Sequence, residues 1–418
     1  MDFKDYSFKK TMQYLKNFFK WIFLASVTGA VGGLVGSAFH LSIEYVTGVR
    51  SDHPWVLYLL PVGGVVIAFL YKISKLDKNG GTDFVISSVR EKEKVPFLMA
   101  PLIFVGTVIT HLCGGSAGRE GAALQLGGAI GSQVGSIFKL GEKDMHLIIM
   151  CGMSGVFSAL FETPLTATVF AMEVISVGIA YYSSLVPSLT SSLVAFGVSR
   201  LFKIEPVSFN LSQVAQLNVK NVFMAVILAA VCAVVSIGFC LIMHLSHTYI
   251  PKLIKNSLLR AAAGGAVIII LTLIVGNYDY NGAGMNIIEK AINGQAVPYA
   301  FILKIIFTAV TISCGYKGGE IVPTFFIGAT LGCTVGPLLG LPAGFSAALG
   351  LVALFCSVVN CPIASMILSV EMFGSSGFIF FGIVCAVSYV LSGYYSLYST
   401  QKIMYSKVKA EYININAW

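Results

Sequence analysis

Long apolar runs alternate with short polar breaks along the whole chain. The runs fall at about 21–46, 55–73, 96–113, 146–178, 182–202, 221–245, 259–277, 297–314, 345–372 and 376–398. An apolar helix needs roughly 20 residues to cross a bilayer, and most of these runs are near that length. The runs 146–178 and 345–372 exceed it, which predicts strong tilt or two joined helices. Two further stretches, 114–139 and 315–340, are apolar but laden with glycine. They predict broken or re-entrant helices, because non-helical backbone at membrane depth survives only around a cavity.

Composition turns that pattern into a class. The 418 residues are 56% hydrophobic and 11% charged, against about 25% charged in a soluble domain. With a mean hydropathy of +0.83, a soluble enzyme is excluded and an all-α polytopic membrane protein is expected. The formal net charge of +8 comes from lysines and arginines in the polar breaks and at the ends, so no nucleic-acid partner is expected. Those basic residues gather before residue 21 and in 72–94, 252–260 and the C-terminal tail, whereas 47–54 and 278–296 are poor in them. Both termini are therefore expected in the cytoplasm of a cell-membrane protein. No cleavable signal peptide is evident. The nine cysteines lie in apolar runs with no metal spacing and no disulfide framework; they read as small buried hydrophobes, and no cofactor or metal is expected.

An internal repeat organises the chain. Glu120-Gly-Ala-Ala-Leu-Gln-Leu-Gly127-Gly-Ala-Ile-Gly131 lies on Ile321-Val-Pro-Thr-Phe-Phe-Ile-Gly328-Ala-Thr-Leu-Gly332 at an offset of 201. Glu162-Thr-Pro164 through Glu173 matches Asn360-Cys-Pro362 through Glu371 at an offset of 198. The division expected is an amphipathic helix on the membrane surface at 1–20, a first membrane repeat at 21–202 and a linker at 203–220. A second repeat at 221–398 and a cytoplasmic tail at 399–418 follow, with no regulatory domain. Duplicated halves with glycine-interrupted segments at matching positions point to a transporter whose site lies near the midplane, at the repeat interface.

Ionisable residues inside membrane runs are functional candidates by default. They are Arg119, Glu120, Glu162, Glu173, Lys304, Lys317, Glu320 and Glu371. The symmetry of Glu173 and Glu371 suggests helix-end pairing. Glu120 sits in Gly114-Gly-Ser-Ala-Gly118-Arg-Glu-Gly121, a turn that opens a helical run. Such a turn presents free N–H groups and the positive dipole end, an anion site. A carboxylate there competes with the anion for the same donors, and on protonation it loses that attraction and swings out. The repeat partner, Gly315-Tyr-Lys-Gly-Gly-Glu320-Ile-Val-Pro323, places a second glycine turn before a helix whose first turn suits Pro323. Glu320 aligns with Arg119, so the halves are not chemically equivalent.

Gly-Arg-Glu-Gly before a glycine-zipped helix, Gly-Tyr-Lys-Gly-Gly-x-x-x-Pro, and Ser396-Leu-Tyr398-Ser399 together resemble the CLC family of chloride channels and anion/proton antiporters. The resemblance covers nearly the whole chain. It implies an inverted-repeat fold with broken and re-entrant helices, in a homodimer with a separate pathway in each subunit. It also implies that Glu120 is the gating and proton-carrying glutamate and that Tyr398 lines the central anion site. The departures are specific. Chloride-handling members carry Gly-Ser-Gly-Ile-Pro where this chain reads Lys78-Asn79-Gly80-Gly81-Thr82-Asp83. Their internal proton glutamate corresponds to Val174, and Glu320 stands where they have an apolar residue. This combination looks like the fluoride/proton antiporter branch, with fluoride and protons as the transported partners. The serine's role then goes to Asn79, with Thr82 as the fallback ligand. The expected anion-binding set is Asn79, Gly80, Gly81 and Thr82, with Gly118, Arg119, Gly121, Ile321 and Tyr398. A buried Glu320 without its own cation would take up a proton where Val174 cannot, an argument that weakens if Lys317 pairs with it.

Two other readings compete. A chloride/proton antiporter or a passive chloride channel would share the fold; Glu120 argues against a leak, and the missing Ser-Gly-Ile-Pro against chloride. Gly152-Met-Ser154-Gly155 matches the Gly-x-Ser-Gly of rhomboid intramembrane proteases, but His244 and His247 fall near the end of a run. No enzymatic activity is expected.

Overall fold

The computed structural model describes residues 3–76, 81–91 and 93–418. Among them are sixteen α-helices in two series of eight. The first series is α1 (Phe3–Asp52), α2 (Leu60–Ile73), α3 (Thr82–Glu91), α4 (Met99–Leu112), α5 (Glu120–Ile137), α6 (Glu142–Phe161), α7 (Pro164–Glu173) and α8 (Leu185–Leu201). The second is α9 (Val219–Leu253), α10 (Ser257–Val275), α11 (Met285–Ile292), α12 (Ala300–Ser313), α13 (Ile321–Leu338), α14 (Ala343–Val359), α15 (Pro362–Phe373) and α16 (Phe378–Leu391). Six of the described helices are long and apolar enough to span a bilayer.

The long apolar runs break where the sequence changes chemistry. Glu162 ends α6 in the left-handed conformation (φ 59°), and Asn360 ends α14 in the same way (φ 56°). Two residues later Pro164 and Pro362 open α7 and α15, where a missing N–H leaves no donor unpaired. The carboxylates at the far ends of these short helices then cross over. Glu371 accepts from the N–H groups of Leu165 and Thr166 at 3.0 and 2.9 Å, capping α7. Glu173 accepts from Ile363 and Ala364 at 3.3 and 2.8 Å, capping α15. Each half thus supplies the carboxylate that the other half's helix N-terminus attracts.

The glycine zippers let backbones touch. A Cβ on Gly127 of α5 would collide with the Gly152 carbonyl of α6, and one on Gly328 of α13 with the Gly350 carbonyl of α14. Small residues at such crossings allow the close packing that holds helices together in lipid. Near the centre, the Tyr316 hydroxyl lies 2.8 Å from the Leu60 carbonyl and 3.0 Å from that of Ala261, two positions related by the same 201-residue offset. Tyr316 therefore ties together equivalent positions of the two halves.

The structure adds three features to that division. The segment before residue 21 is not a separate helix; α1 runs unbroken from Phe3 to Asp52, about 75 Å at 1.5 Å per residue. The 72–94 and 278–296 segments contain α3 and α11. The tail is folded: β1 (Ser176–Val177), β2 (Lys402–Tyr405) and β3 (Tyr412–Asn416) form a sheet, parallel between β1 and β2 and antiparallel between β2 and β3.

Candidate functional site

Two glycine turns meet between the halves. Gly118 and Gly319, again 201 residues apart, exchange backbone hydrogen bonds of 2.7 and 2.8 Å. This reciprocal pair fixes the start of α5 against the start of α13. Neither helix has a side-chain cap from its own N-cap residue, Arg119 or Glu320, so first-turn N–H groups remain available at both.

Glu120, the first residue of α5, uses them. One carboxylate oxygen accepts from the Arg119 N–H at 2.9 Å and from the Val322 N–H of α13 at 3.3 Å. The other oxygen is buried with no hydrogen-bond partner among the described residues, and the Arg119 Nε is 3.9 Å from it. The Arg119 guanidinium turns instead toward the Leu160 carbonyl. The side chain of Glu120 has no exposed surface. A carboxylate therefore occupies donors from both helix termini, which is what the sequence places there as a rival to an external anion.

Two cavities reach the residues next to this point. One, of about 540 Å³, is bounded by Gly81, Thr82, Glu320, Tyr398 and Lys317. The other, of about 870 Å³, is bounded by Arg119, Val322, Phe161, Arg50 and His111. Gly118, Glu120, Gly121 and Ile321 line neither cavity, whereas their chain neighbours Gly318 and Glu320 line the first and Arg119 and Val322 the second. The Tyr398 hydroxyl, buried on the first cavity's wall, has no hydrogen-bond partner among the described residues. It is a free donor of the kind an anion would take.

The remaining candidates divide. Asn79 and Gly80 lie outside the described residues. Thr82 donates its hydroxyl to the Gly121 carbonyl at 3.2 Å and accepts from Gln125 at 3.1 Å, so its proton is already engaged within the protein. Lys317 lies over the Tyr71 ring at 4.1 Å, and among the described residues no ion pair joins it to Glu320. Lys304 is fully buried and donates to the carbonyls of Tyr280 and Gly282. Glu162 bonds Ser199. Ser154 donates to the carbonyls of Cys151 and Ser188, and His244 bonds the Ser396 carbonyl. Sequence reading missed Gln125, one helical turn after Gly121, whose spacing was the available signal. It also missed Asp83, which holds the Tyr398 loop through Ser399 Oγ at 2.9 Å and the Thr400 N–H at 3.2 Å.

Residues 62–393 match a family model described as voltage gated chloride channel. A chloride/fluoride channel protein of Pseudomonas syringae pv. tomato is 33% identical over 395 residues, 93% of this chain and 87% of that protein. An H(+)/Cl(-) exchange transporter, ClcA, of Vibrio campbellii is 23% identical over 383 residues, 85% of this chain and 82% of its own. The crystal structure of a CLC-type fluoride/proton antiporter superposes with a TM-score of 0.88 at 32% identity, covering 92% of this chain and 98% of that one. A slow cyanobacterial Cl-/H+ antiporter gives 0.77 at 20% identity, over 89% and 94%, a likeness of fold alone.

Proposed function

This chain belongs to the voltage gated chloride channel family, and on that footing we propose that it is a secondary transporter that exports fluoride in exchange for protons. The single observation that carries the mechanism is the Glu120 carboxylate seated on the Arg119 and Val322 N–H groups, between two cavities. Support for fluoride comes from the 32%-identical antiporter and the Pseudomonas relative. The absence of Ser-Gly-Ile-Pro and the presence of Glu320 agree.

In this reading the tail-bearing 540 Å³ cavity faces the cytoplasm of a cell-membrane protein and the 870 Å³ cavity faces outside. Ionised Glu120 closes the pathway by holding the donors itself. A proton arriving from the outer cavity neutralises it, the attraction to the helix termini falls, and the side chain leaves. Fluoride moving outward from the Tyr398 hydroxyl then takes the vacated N–H groups. Asn79, Gly80, Gly81, Thr82, Gly118, Gly121 and Ile321 complete the anion track, with Thr82 acting through its contact to Gly121. Glu320, on the wall of the inner cavity, passes the proton on where Val174 has no group to do so. Fluoride is strongly hydrated, and only well-aimed donors offset its desolvation. Two copies pair as a homodimer, each with its own pathway.

The test is flux from liposomes containing the purified protein, with fluoride or chloride inside and proton uptake followed in parallel. Fluoride should leave faster than chloride by about tenfold or more, a difference of about 1.4 kcal/mol, with protons entering. Chloride leaving as fast as fluoride would overturn the assignment of substrate. Fluoride efflux without proton uptake would overturn the exchange.

A further inference from the structure

Tyr398 stands on an irregular segment between α16 and β2, and that segment is held by buried amides. Gln401 is fully buried; its Nε2 donates to the carbonyls of Val174 at 3.0 Å and Val359 at 2.9 Å. Its Oε1 accepts from Asn360 Nδ2 at 3.1 Å and Ser396 Oγ at 2.9 Å. Ser396 Oγ in turn accepts from the N–H of Tyr398 at 3.1 Å, and Asn360 Nδ2 also donates to the Tyr395 carbonyl at 3.0 Å. Asn360 is thus the joint between the end of α14 and the tyrosine loop.

The far side of Asn360 is held from the tail. Lys407, between β2 and β3, donates from Nζ to Asn360 Oδ1 at 2.5 Å, to the Tyr389 carbonyl at 2.9 Å and to Ser392 Oγ at 3.2 Å. The ammonium lies 4.3 Å from the centre of the Tyr389 ring. Three donors meet three neutral acceptors at the carboxyl ends of α14 and α16, where helix dipoles favour a cation. Among the described residues no carboxylate pairs with it. The titratable groups around it are Cys240 of α9, Cys356 of α14, Cys361 of the following turn and Tyr389 of α16.

We propose that Lys407 is a positioning residue for Tyr398, and that loss of its proton loosens the Tyr398 hydroxyl and slows transport. The proposal rests on Tyr398 being an anion ligand in the exchange proposed above. A neutral amine has two N–H groups and a lone pair to offer three acceptors. The three contacts cannot all persist unchanged: either one breaks or the Ser392 hydroxyl leaves the Tyr389 carbonyl to donate to the amine, and the chain Lys407–Asn360–Gln401–Ser396 carries the slack to Tyr398. Burial pushes the Lys407 ammonium down to about 7 from its usual 10.5, with the thiols of Cys356, Cys240 and Cys361 acting weakly the other way. The unfolded chain keeps that proton up to about 10.5, so stability rises with pH across this window. Transport, by contrast, falls as pH rises through the folded value. A merely structural lysine would move both together.

Initial fluoride efflux is measured from liposomes at equal internal and external pH, stepped from about 6 to about 8.5 across the titration of a buried lysine. The wild-type rate should fall about threefold to tenfold, as expected for a slip of a few tenths of an ångström in an ion's ligand. Lys407→Arg keeps its charge at every pH, and its profile should be flatter than the wild type's. The two proteins share Glu120 and Glu320, so the difference isolates Lys407. Lys407→Met should slow the wild type by the same factor, but in a Tyr398→Phe background by less than about twofold, since coupled positions are not additive. Parallel pH profiles for wild type and Lys407→Arg would overturn the proposal, as would equal slowing by Lys407→Met in both backgrounds. If Lys407→Met does not fold, the arginine comparison decides alone. A wild-type protein that moves no fluoride would instead overturn the transport reading.

Discussion

Glu120→Gln should abolish proton uptake during fluoride efflux, lowering it by about 100-fold or more, the scale on which a positioned proton carrier acts. Glutamine has nearly the same shape, and its amide oxygen can accept from the Arg119 and Val322 N–H groups as the carboxylate does. The change therefore removes the titration and the negative charge while keeping the geometry. An uncharged side chain is bound less tightly by the two helix termini, so any fluoride flux that remains should be indifferent to an imposed pH gradient. A fluoride electrode and a pH electrode in one liposome suspension read both quantities. Proton uptake at the wild-type ratio would sink the proposed role of Glu120.

Gly319→Ala should both destabilise the protein and cripple transport. A Cβ at this position would collide with the Gly121 nitrogen and approach the Glu120 nitrogen and the Gly121 Cα to 3.1 Å. These are backbone atoms of the opposing helix terminus, so no side chain can rotate away. Overpacking against fixed backbone costs about 1–3 kcal/mol, and losing the reciprocal hydrogen bonds with Gly118 adds about 1 kcal/mol each. Displacing the helix starts by a fraction of an ångström also spoils the donor geometry, for which a rate loss of about 100-fold is the expected scale. Gly238→Ala is the control. Nothing lies within 4 Å of a Cβ there, and alanine favours the helical backbone of α9. Melting in detergent should separate the two variants; equal melting temperatures would contradict the steric argument.

Much of the central geometry was legible because it depends on local chemistry. A glycine turn followed by an acid and a helix predicts a carboxylate on helix-terminal N–H groups, and Glu120 is found there. The repeat offset foretold that the matching glycines would be related, though not that Gly118 and Gly319 would bond each other. Glu173 and Glu371 were readable as a symmetric pair, but their exchange of helices is a contact across about 190 to 206 residues of chain that no window reveals. The hydropathy pattern detects surfaces that face lipid. It is blind to α3 and α11, which are short and amphipathic, α11 exposing Asn286, Glu289 and Lys290, and to strands of four and five residues in a polar tail. Lys407 looked like any solvated tail lysine, because only the folded sheet carries it to the ends of α14 and α16. Thr82 kept its place near the site but not its role as a donor, since Gly121 offers an acceptor within reach.

The thinness of the partition around Glu120 has an electrical consequence. Under the proposed exchange the cavities of about 540 and 870 Å³ open to opposite sides of the membrane, and solvent in them carries each bulk phase inward. The membrane voltage then drops mainly across the few side chains between them, so a charge shifted past Glu120 senses most of the field. Under the proposed exchange, a fluoride leaving and a proton entering both carry positive charge into the cell. Each such pair moves two elementary charges, about 4.6 kcal/mol per 100 mV. A potassium diffusion potential that makes liposomes positive inside should slow efflux, and equal rates at both polarities would refute this. Whatever the ratio of the two ions, fluoride export of this kind is driven by the cell's negative interior as well as by its pH gradient.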